Sequence, residues 1–341
     1  MVKNIKIRQV HTNSLSCEPM LERCDNGELL CVCQCGGIKE PAPDNRVLVF
    51  HSKDNGESWF GGESIYPEIG KAVYCTEMNI IDGEIAAYLS IHNGAFLDWE
   101  CRMVKSRDNG YSWEDCGAPP CFPNYTFMRA TLKTFDGRIL IPYQTYPIDP
   151  EKDKEILAMN GHVWQTFPQY CESGVLESTD NGKTYDKHVA CRMSMHDGWI
   201  WSEPTVADCG NGKIVMLLRK CGTGWLYRCE SNDGGRTWGD FVQTDIPNPT
   251  NKPRLFNIGE GKIALVHTPN NKGLCNERKY VDRYPLQLWI SDDGMQTWSE
   301  KITLTDFPGS YSYTDGIYED GHIRLVIEHN RHTILYFDVE L

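Results

Sequence analysis

The chain has 341 residues, of which 40% are hydrophobic and 11% aromatic, and its formal net charge is −13. No apolar run is long enough to span a bilayer, so the composition is typical of a soluble globular protein. The negative charge disfavours nucleic acids and anionic membrane surfaces as partners, because both repel an acidic protein at long range.

The N-terminal stretch MVKNIKIRQVHTNSL lacks the apolar central segment of a secretory signal. Fifteen cysteines are spread along the chain without a compact framework. Both features predict reduced thiols and a cytoplasmic location. Only Cys31, Cys33 and Cys35 are closely grouped, and their alternation is typical of a β-strand with all three sulfurs on one face. Without a C-x-x-C partner pair, they predict no metal site.

Short β-rich runs separated by Gly, Asn, Asp and Pro extend along the chain and predict strands. In chain order they include residues 47–50, 139–141, 214–218, 263–266 and 323–327. No long segment has the apolar periodicity of an amphipathic helix. The sequence therefore predicts an all-β protein.

An octapeptide of the pattern S-x-D-x-G-x-[ST]-aromatic occurs five times. The copies are SKDNGESW from Ser52, SRDNGYSW from Ser106, STDNGKTY from Ser178, SNDGGRTW from Ser231 and SDDGMQTW from Ser291. Ser and Asp side chains accept hydrogen bonds from nearby backbone, Gly adopts positive φ, and the aromatic ring anchors the turn. The octapeptide therefore predicts a structural turn, with Tyr185 and Met295 as departures from the pattern.

A second, weaker repeat lies between the octapeptides and consists of a strand, a polar turn ending in Gly, and an apolar strand. Its six copies include SEPTVADCGNGKIVMLL and KPRLFNIGEGKIALVH. Six four-stranded units of about 55 residues fill the chain, which is the arithmetic of a six-bladed β-propeller. We predict one propeller domain over residues 1–341, in which residues 4–10 supply the outer strand of the last blade and remove an exposed edge.

The octapeptides resemble the Asp boxes of the sialidase (neuraminidase) superfamily and related BNR-repeat proteins, and the resemblance covers almost the whole chain. It implies a cofactor-free, exo-acting glycoside hydrolase that removes a terminal acidic sugar, such as a sialic acid, from an oligosaccharide or glycoconjugate. Asp boxes by themselves indicate the propeller and not the activity, because they occur in proteins of several functions.

The resemblance further implies a Tyr nucleophile assisted by a Glu, three arginines that bind the substrate carboxylate, and an Asp acid/base. Glu203 opens an inner strand, and Arg219 follows it after a turn and an apolar run. Arg283 precedes the last octapeptide, and a Tyr-Ser dipeptide at Tyr311 follows it. Tyr311 is thus the predicted nucleophile, with Tyr313 as its rival and a substrate-binding residue, since strand alternation would put both on one face.

These residue types suit the implied chemistry. A neutral Tyr is a poor nucleophile near neutral pH and needs a carboxylate to take its proton, while guanidinium groups bind a carboxylate through two parallel hydrogen bonds. The sequence departs from the family at its first arginine, where it reads Ser16-Cys17-Glu18-Pro19. A thiol cannot replace a guanidinium, and Glu18 would repel a carboxylate if it faced the centre.

The acid/base is expected in the loop that reads Glu40-Pro41-Ala42-Pro43-Asp44-Asn45-Arg46, with Asp44 as the first candidate and Glu40 as the second. Arg46 is predicted to replace the missing positive charge. Glu18, Glu77 and Arg129 are predicted to line the central pocket, as are Lys252 and Arg254. The long third repeat, residues 146–170, is predicted to be a loop over one face, with His162, Trp164 and Gln165 as sugar-contacting candidates.

Two alternatives stay open at this point. The lost arginine favours an exo-glycosidase or lyase for a different sugar, with Glu18, Glu203 or Asp44 as carboxylate acid and base. A non-catalytic, glycan-binding propeller is the other alternative.

Overall fold

The computed structural model describes residues 2–196, 198–271 and 283–341. It consists almost entirely of antiparallel β-sheet, arranged as six blades around a central axis. The prediction of an all-β, six-bladed propeller with Asp-box turns is confirmed. Within the described ranges, no helix has the length and apolar character that crossing a membrane requires.

Each blade is one sheet whose strands follow one another from the axis outward. Blade 1 contains β2 (Ser16–Arg23), β3 (Leu29–Cys35), β4 (Arg46–Ser52) and β5 (Phe60–Ser64). Blade 2 contains β6 (Ala72–Ile81), β7 (Glu84–His92), β8 (Glu100–Ser106) and β9 (Glu114–Asp115). Blade 3 contains β10 (Thr126–Met128), β11 (Leu132–Lys133), β12 (Ile139–Thr145), β13 (Tyr170–Ser178) and β14 (Asp186–Ser194).

The remaining blades have the same order. Blade 4 contains β15 (Thr205–Asp208), β16 (Ile214–Arg219), β17 (Trp225–Ser231) and β18 (Val242–Pro247). Blade 5 contains β19 (Arg254–Asn257), β20 (Ile263–His267), β21 (Gln287–Ser291) and β22 (Glu300–Thr303). Blade 6 contains β23 (Tyr311–Glu319), β24 (His322–His329), β25 (Thr333–Glu340) and the N-terminal strand β1 (Asn4–Thr12).

The N-terminal strand is the outer strand of blade 6. It pairs antiparallel with β25, from Asn4 opposite Glu340 to Thr12 opposite Thr333. This pairing joins the two ends of the chain through backbone hydrogen bonds, so β25 has no open edge.

The five octapeptides form turns between the two outermost strands of blades 1 to 5. In blade 4, Ser231 Oγ accepts from Gly235 N at 2.8 Å, and Asp233 Oδ1 accepts from Thr237 N at 2.8 Å. Trp238 Nε1 donates to the Gly235 carbonyl at 2.8 Å. In blade 5 Met295 replaces the glycine at φ +65° and still donates its N–H to Ser291 Oγ at 2.9 Å, so the turn survives the substitution.

The long third repeat contains regular structure that the sequence did not predict. Helix α1 (Pro150–Ala158) begins after the N-cap Asp149, and a 3-10 helix (Val163–Thr166) follows. The helix buries only Asp153 and Ile156, so its sequence lacks the apolar stripe by which amphipathic helices are recognised.

The strand order gives the propeller two distinct faces. Inner strands begin, and second strands end, at one face, which we call the upper face. The described connections at this face are residues 36–45, 93–99, 146–169, 220–224 and 330–332, together with residues 268–271 and 283–286 of blade 5. The Asp-box turns lie at the opposite, lower face, so the stabilising turns and the upper connections are separated by the height of the blades.

Apolar side chains pack between neighbouring blades and form the core. One such cluster, between blades 6 and 1, contains Cys31, Cys33 and Cys35 on β3 together with Tyr336 on β25. The three cysteines lie on one face as predicted and behave as small apolar residues.

We expect Asp233→Ala to reduce the free energy of unfolding by about 1 to 2 kcal/mol, because hydrogen bonds to charged acceptors contribute on that scale. Asp233 accepts from the Ser231 and Thr237 hydroxyl groups and from two backbone N–H groups. Thermal unfolding would measure the change. Asp240→Ala, in the exposed residue just after the turn, is the matched control; equal melting temperatures for both variants would contradict a stabilising role.

Candidate active site

The candidate site lies where the inner strands begin at the upper face. Glu18, Glu203 and Tyr313 all adopt left-handed backbone there, at φ +45°, +42° and +54°, as does Ala130 at +39°. This conformation costs a non-glycine residue about 1 kcal/mol or more, and such strain concentrates at functional sites. The same left-handed conformation occurs in blades 1, 3, 4 and 6, so the chain enters the inner strand of each of these blades with similar backbone geometry.

Two carboxylates share one guanidinium at the centre of the site. Arg129 Nη1 lies 3.6 Å from Glu18 Oε2, and its Nη2 lies 3.8 Å from Glu203 Oε1. Glu203 Oε1 also lies 2.9 Å from Nη2 of Arg219, whose Nε donates to the Trp201 carbonyl at 2.8 Å. Arg129, Arg219 and Glu203 are each 2–3% exposed, so the charges compensate each other with little help from water.

Arg283 stands beside Arg219. Both guanidinium groups donate to the Thr250 carbonyl, at 2.8 and 3.0 Å. Arg283 also donates to Ser312 Oγ at 2.6 Å and lies 5.8 Å from the centre of the Tyr313 ring. The structure thus brings together Glu203, Arg219 and Arg283, as the sequence predicted, in an environment suited to an anion.

Tyr313 carries its hydroxyl group into this charged cluster. Burial raises the pKa of Tyr313 well above its ordinary value, and the nearby Glu203 charge raises it further. The phenol is therefore neutral at physiological pH, and the charge of Glu203 acts on it. Within the described part of the chain, Glu203 Oε2 makes no hydrogen bond. A neutral phenol needs a carboxylate acceptor to become a nucleophile, and Glu203 belongs to the same cluster of buried charges.

Tyr311 lies elsewhere. Its hydroxyl group donates to the Phe307 carbonyl at 2.8 Å, and its ring belongs to the apolar cluster between blades 5 and 6. The prediction that Tyr311 and Tyr313 share a face is wrong, because a β-bulge between Ser312 and Asp315 adds a residue and breaks the alternation. The structure therefore brings Tyr313 and not Tyr311 to the arginines.

The two acid/base candidates of the blade 1 loop have different surroundings. Asp44 is exposed. Glu40 is mostly buried: it forms an ion pair with Arg331, and its Oε2 accepts from the Cys17 thiol at 3.4 Å. The ion pair favours the charged form of Glu40, which does not suit a proton donor.

Arg46 does not join the other arginines. Its guanidinium group forms an ion pair with Glu68, and both side chains are partly exposed. The predicted replacement of the missing charge by Arg46 therefore has no support in its contacts.

Glu77 belongs to a second polar layer, deeper along the inner strands. Its Oε1 accepts from Thr131 N at 2.9 Å, while Arg254 Nε lies 3.0 Å from Asp315 Oδ1. Burial lowers the pKa of Lys252, and the charges of Asp315 and Glu77 oppose this shift. Cations thus balance carboxylates in this layer, and in the described ranges no three His, Cys, Asp or Glu side chains are grouped as metal ligands.

Sequence reasoning missed three residues of the site. Glu328, on the second strand of blade 6, is fully buried, and its Oε2 accepts from Glu18 N at 3.5 Å. Gln144 Oε1 accepts from Glu203 N at 2.6 Å. Arg331 lies 3.7 Å from Glu328 Oε1. Only Glu328 had a signal in the sequence, as a carboxylate within the otherwise apolar stretch LVIEH.

The insertion of blade 3 forms a wall on the upper face. Val163 N donates to the Ala95 carbonyl at 3.0 Å, which ties the insertion to blade 2. His162 and Gln165 cap the 3-10 helix, since Gln165 Oε1 accepts from His162 N at 2.7 Å. Trp164 stacks on His162 at 3.9 Å and remains 47% exposed. The sugar-binding roles predicted for these residues stay predictions.

The fold and the site can now be set beside known proteins. A family model described as a BNR repeat-like domain matches residues 70–325, which is more than half of the chain. The chain belongs to the BNR repeat-like domain family. A search of curated proteins found no match.

Solved sialidase structures share the fold of this BNR repeat-like protein. The Hadza microbial sialidase Hz136 superposes with a TM-score of 0.70 at 16% identity, over 96% of this chain and 66% of its own. The NanB sialidase from Streptococcus pneumoniae gives 0.69 at 15% identity, over 100% of this chain and 70% of its own.

A protein of unknown function from Dyadobacter fermentans gives a TM-score of 0.70 at 15% identity, over 100% of this chain and 99% of its own. At these identities the likenesses show the propeller, and the activity must be argued from the site.

The fully buried Glu328 generates a prediction about pH. Burial raises the pKa of Glu328 from 4.5 to about 8, an effect that Arg283 opposes and Glu18 reinforces. Stability from such a group is present below the unfolded pKa and is lost as the pH rises toward the folded pKa. Because Gln mimics the protonated acid, we expect the melting temperature of Glu328→Gln to rise relative to that of the unmodified protein between about pH 5 and about pH 8.

Thermal unfolding across this pH range measures the difference in melting temperature between the variant and the unmodified protein. Contributions of the other titrating groups cancel in this difference because both proteins contain them. Glu260→Gln, on an exposed turn, is the control and should run parallel to the unmodified protein. A difference for Glu328→Gln that is constant or shrinks with pH would contradict the burial of a protonated acid.

Proposed function

We propose that this protein is an exo-acting glycoside hydrolase that removes a terminal acidic sugar, such as a sialic acid, from an oligosaccharide or glycoconjugate. The observation that carries the proposal is a buried cluster in which Arg283 lies 5.8 Å from the Tyr313 ring and shares the Thr250 carbonyl with Arg219, which in turn lies 2.9 Å from Glu203. The fold that it shares with the NanB and Hz136 sialidases supports the same reading.

The proposed roles follow from charge and burial. Arg219 and Arg283 bind the substrate carboxylate, because their guanidinium groups stand side by side on the Thr250 carbonyl. Glu203 is the base for Tyr313. Burial raises the pKa of Glu18, an effect that Arg129 opposes and Glu203 reinforces, and a carboxyl group whose pKa is raised is better suited to donate a proton.

In the first step the Tyr313 oxygen bonds to the anomeric carbon and its proton passes to Glu203. The bond to the leaving oxygen breaks, and Glu18 gives its proton to that oxygen. In the second step water attacks the anomeric carbon, Glu18 takes a proton from the water, and Glu203 returns its proton to the Tyr313 oxygen. The sum is hydrolysis of one glycosidic bond by one water.

A second candidate is an exo-glycosidase for a neutral sugar that uses Glu18 and Glu203 as an acid and base pair. The observation that favours it is the single guanidinium of Arg129 between the two carboxylates, 3.6 and 3.8 Å away. In this reaction Tyr313 has no covalent role, because paired carboxylates can activate water directly.

We expect hydrolysis of an aryl sialoside or an aryl uronide in a panel that also contains neutral aryl glycosides, and loss of this activity in Tyr313→Phe. The phenylalanine variant lacks the nucleophile but keeps the ring and the arginines, so the acidic product should still bind. Fluorescence release measures turnover, and calorimetry measures binding.

Tyr311→Phe is the matched control, because it removes a phenol that bonds only within the apolar cluster among its described contacts. It should retain activity. Turnover of neutral glycosides alone would favour the carboxylate pair, and binding without turnover of any glycoside would favour a non-catalytic propeller. Activity of Tyr313→Phe with loss in Tyr311→Phe would overturn the assigned nucleophile.

The identity of the acid gives a separate prediction. We expect Glu18→Gln to lower kcat by about a hundredfold or more for substrates with poor leaving groups, and far less for activated aryl glycosides that need no protonation. Asp44→Asn should affect both substrates equally. If Asp44→Asn instead shows the dependence on the leaving group and Glu18→Gln does not, the exposed loop supplies the acid.

A further inference from the structure

The turn between β24 and β25 is fixed at the junction of blades 6 and 1. The Arg331 carbonyl accepts from Ser16 N at 2.9 Å, and the His332 carbonyl accepts from Asn13 N at 2.9 Å. On the other side Asn330 N donates to the Ser310 carbonyl at 2.9 Å. Arg331 itself adopts φ +62°. These bonds hold its backbone immediately before Cys17, at the upper face.

The Arg331 side chain lies next to Cys17. Its Nη2 forms an ion pair with Glu40 Oε2, and the same oxygen accepts from the Cys17 thiol at 3.4 Å. Burial raises the pKa of both Cys17 and Glu18, and the Arg331 charge counteracts it in both cases. A guanidinium group from blade 6 therefore stands where blade 1 supplies only a thiol.

Three arginines form an arc along this side of the site. Arg219 and Arg283 meet at the Thr250 carbonyl. The Arg283 charge opposes the rise in the pKa of Glu328, and Glu328 Oε1 lies 3.7 Å from Arg331. The arc runs through blades 4, 5 and 6 and ends beside Cys17.

We infer that Arg331 supplies the third guanidinium for the substrate carboxylate, in place of the cation that Cys17 cannot provide. This inference rests on the proposed hydrolysis of an acidic sugar. Arg331 is a specificity residue in this scheme, because it binds the substrate carboxylate and takes no part in bond cleavage.

Arg129 is less suited to this role. It is 2% exposed and lies between the carboxyl groups of Glu18 and Glu203, so its N–H groups are enclosed by residues of the protein. Arg331 retains 27% exposure of its side chain, and of its two acidic neighbours Glu328 is largely protonated at neutral pH because burial raises its pKa to about 8. Glu40 then orients the guanidinium group while other N–H groups remain for a ligand.

Calorimetric binding of four probes tests the inference: N-acetylneuraminic acid, glucuronic acid and the methyl ester of each. We expect the unmodified protein to bind one acid more tightly than its ester. Arg331→Gln should weaken binding of that acid by about tenfold or more, the scale of a charge-assisted hydrogen bond, and leave the ester unchanged. Arg331→Lys should fall between, since it keeps the charge without the planar fork.

Hydrolysis of the matching aryl glycoside adds a second readout. Arg331→Gln should raise KM and leave kcat nearly unchanged. The control is Arg8→Gln. Arg8 lies on the outer strand of blade 6, is partly exposed and forms an ion pair with Glu57. This variant should have the KM and kcat of the unmodified protein. Melting temperatures identify misfolded variants. If Arg331→Gln is misfolded, Arg331→Lys is compared with the unmodified protein instead, because it preserves a cation beside Glu40.

The outcomes separate the two claims. If the unmodified protein prefers the acid and both Arg331 variants bind it equally well, the third-guanidinium role is overturned and the proposed function stands. If the unmodified protein does not distinguish either acid from its ester, the acidic substrate is overturned, and the role of Arg331 falls with it.

Discussion

Charge compensation around the propeller axis is the constraint on which the rest of the site depends. Glu203 can lie 2% exposed only because Arg129 and Arg219 approach its carboxylate, at 3.8 and 2.9 Å. Removing one partner from such a group would leave a buried charge without compensation, which is far more costly than the pair itself. The network therefore fixes the orientation of Glu203, and Glu203 in turn provides the acceptor beside Tyr313.

The blades supply the rigidity that this arrangement needs. Asp-box turns and inter-blade apolar clusters stabilise each sheet at the lower face and between blades, while the polar residues collect at the upper face. Left-handed backbone at Glu18, Glu203 and Tyr313 is strained, and the surrounding sheet must hold it. The pairing of β1 with β25 closes the scaffold by joining the two ends of the chain in one sheet.

Membership in the BNR repeat-like family accounts for the propeller and leaves the chemistry to particular residues. Here the start of blade 1 carries Cys17 and Glu18, so this part of the site has an acidic side chain. Blade 6 contributes Arg331, whose carbonyl accepts a hydrogen bond from Ser16 N. Residues of the two blades contact each other here because the blades meet where the chain closes.

The sequence by itself determined the repeats and the all-β propeller, because turn chemistry and strand spacing are local properties of the chain. The expectation that Glu203, Arg219 and Arg283 lie together came from the resemblance to sialidases. The sequence did not determine which tyrosine faces the axis, since a β-bulge is an irregularity that alternation cannot anticipate. It also gave no signal for the contact of Cys17 and Glu40 with Arg331, whose positions are about 300 residues apart in the chain. Only closure of the propeller brings those residues together, and the balance of buried charge then decides which of them can act.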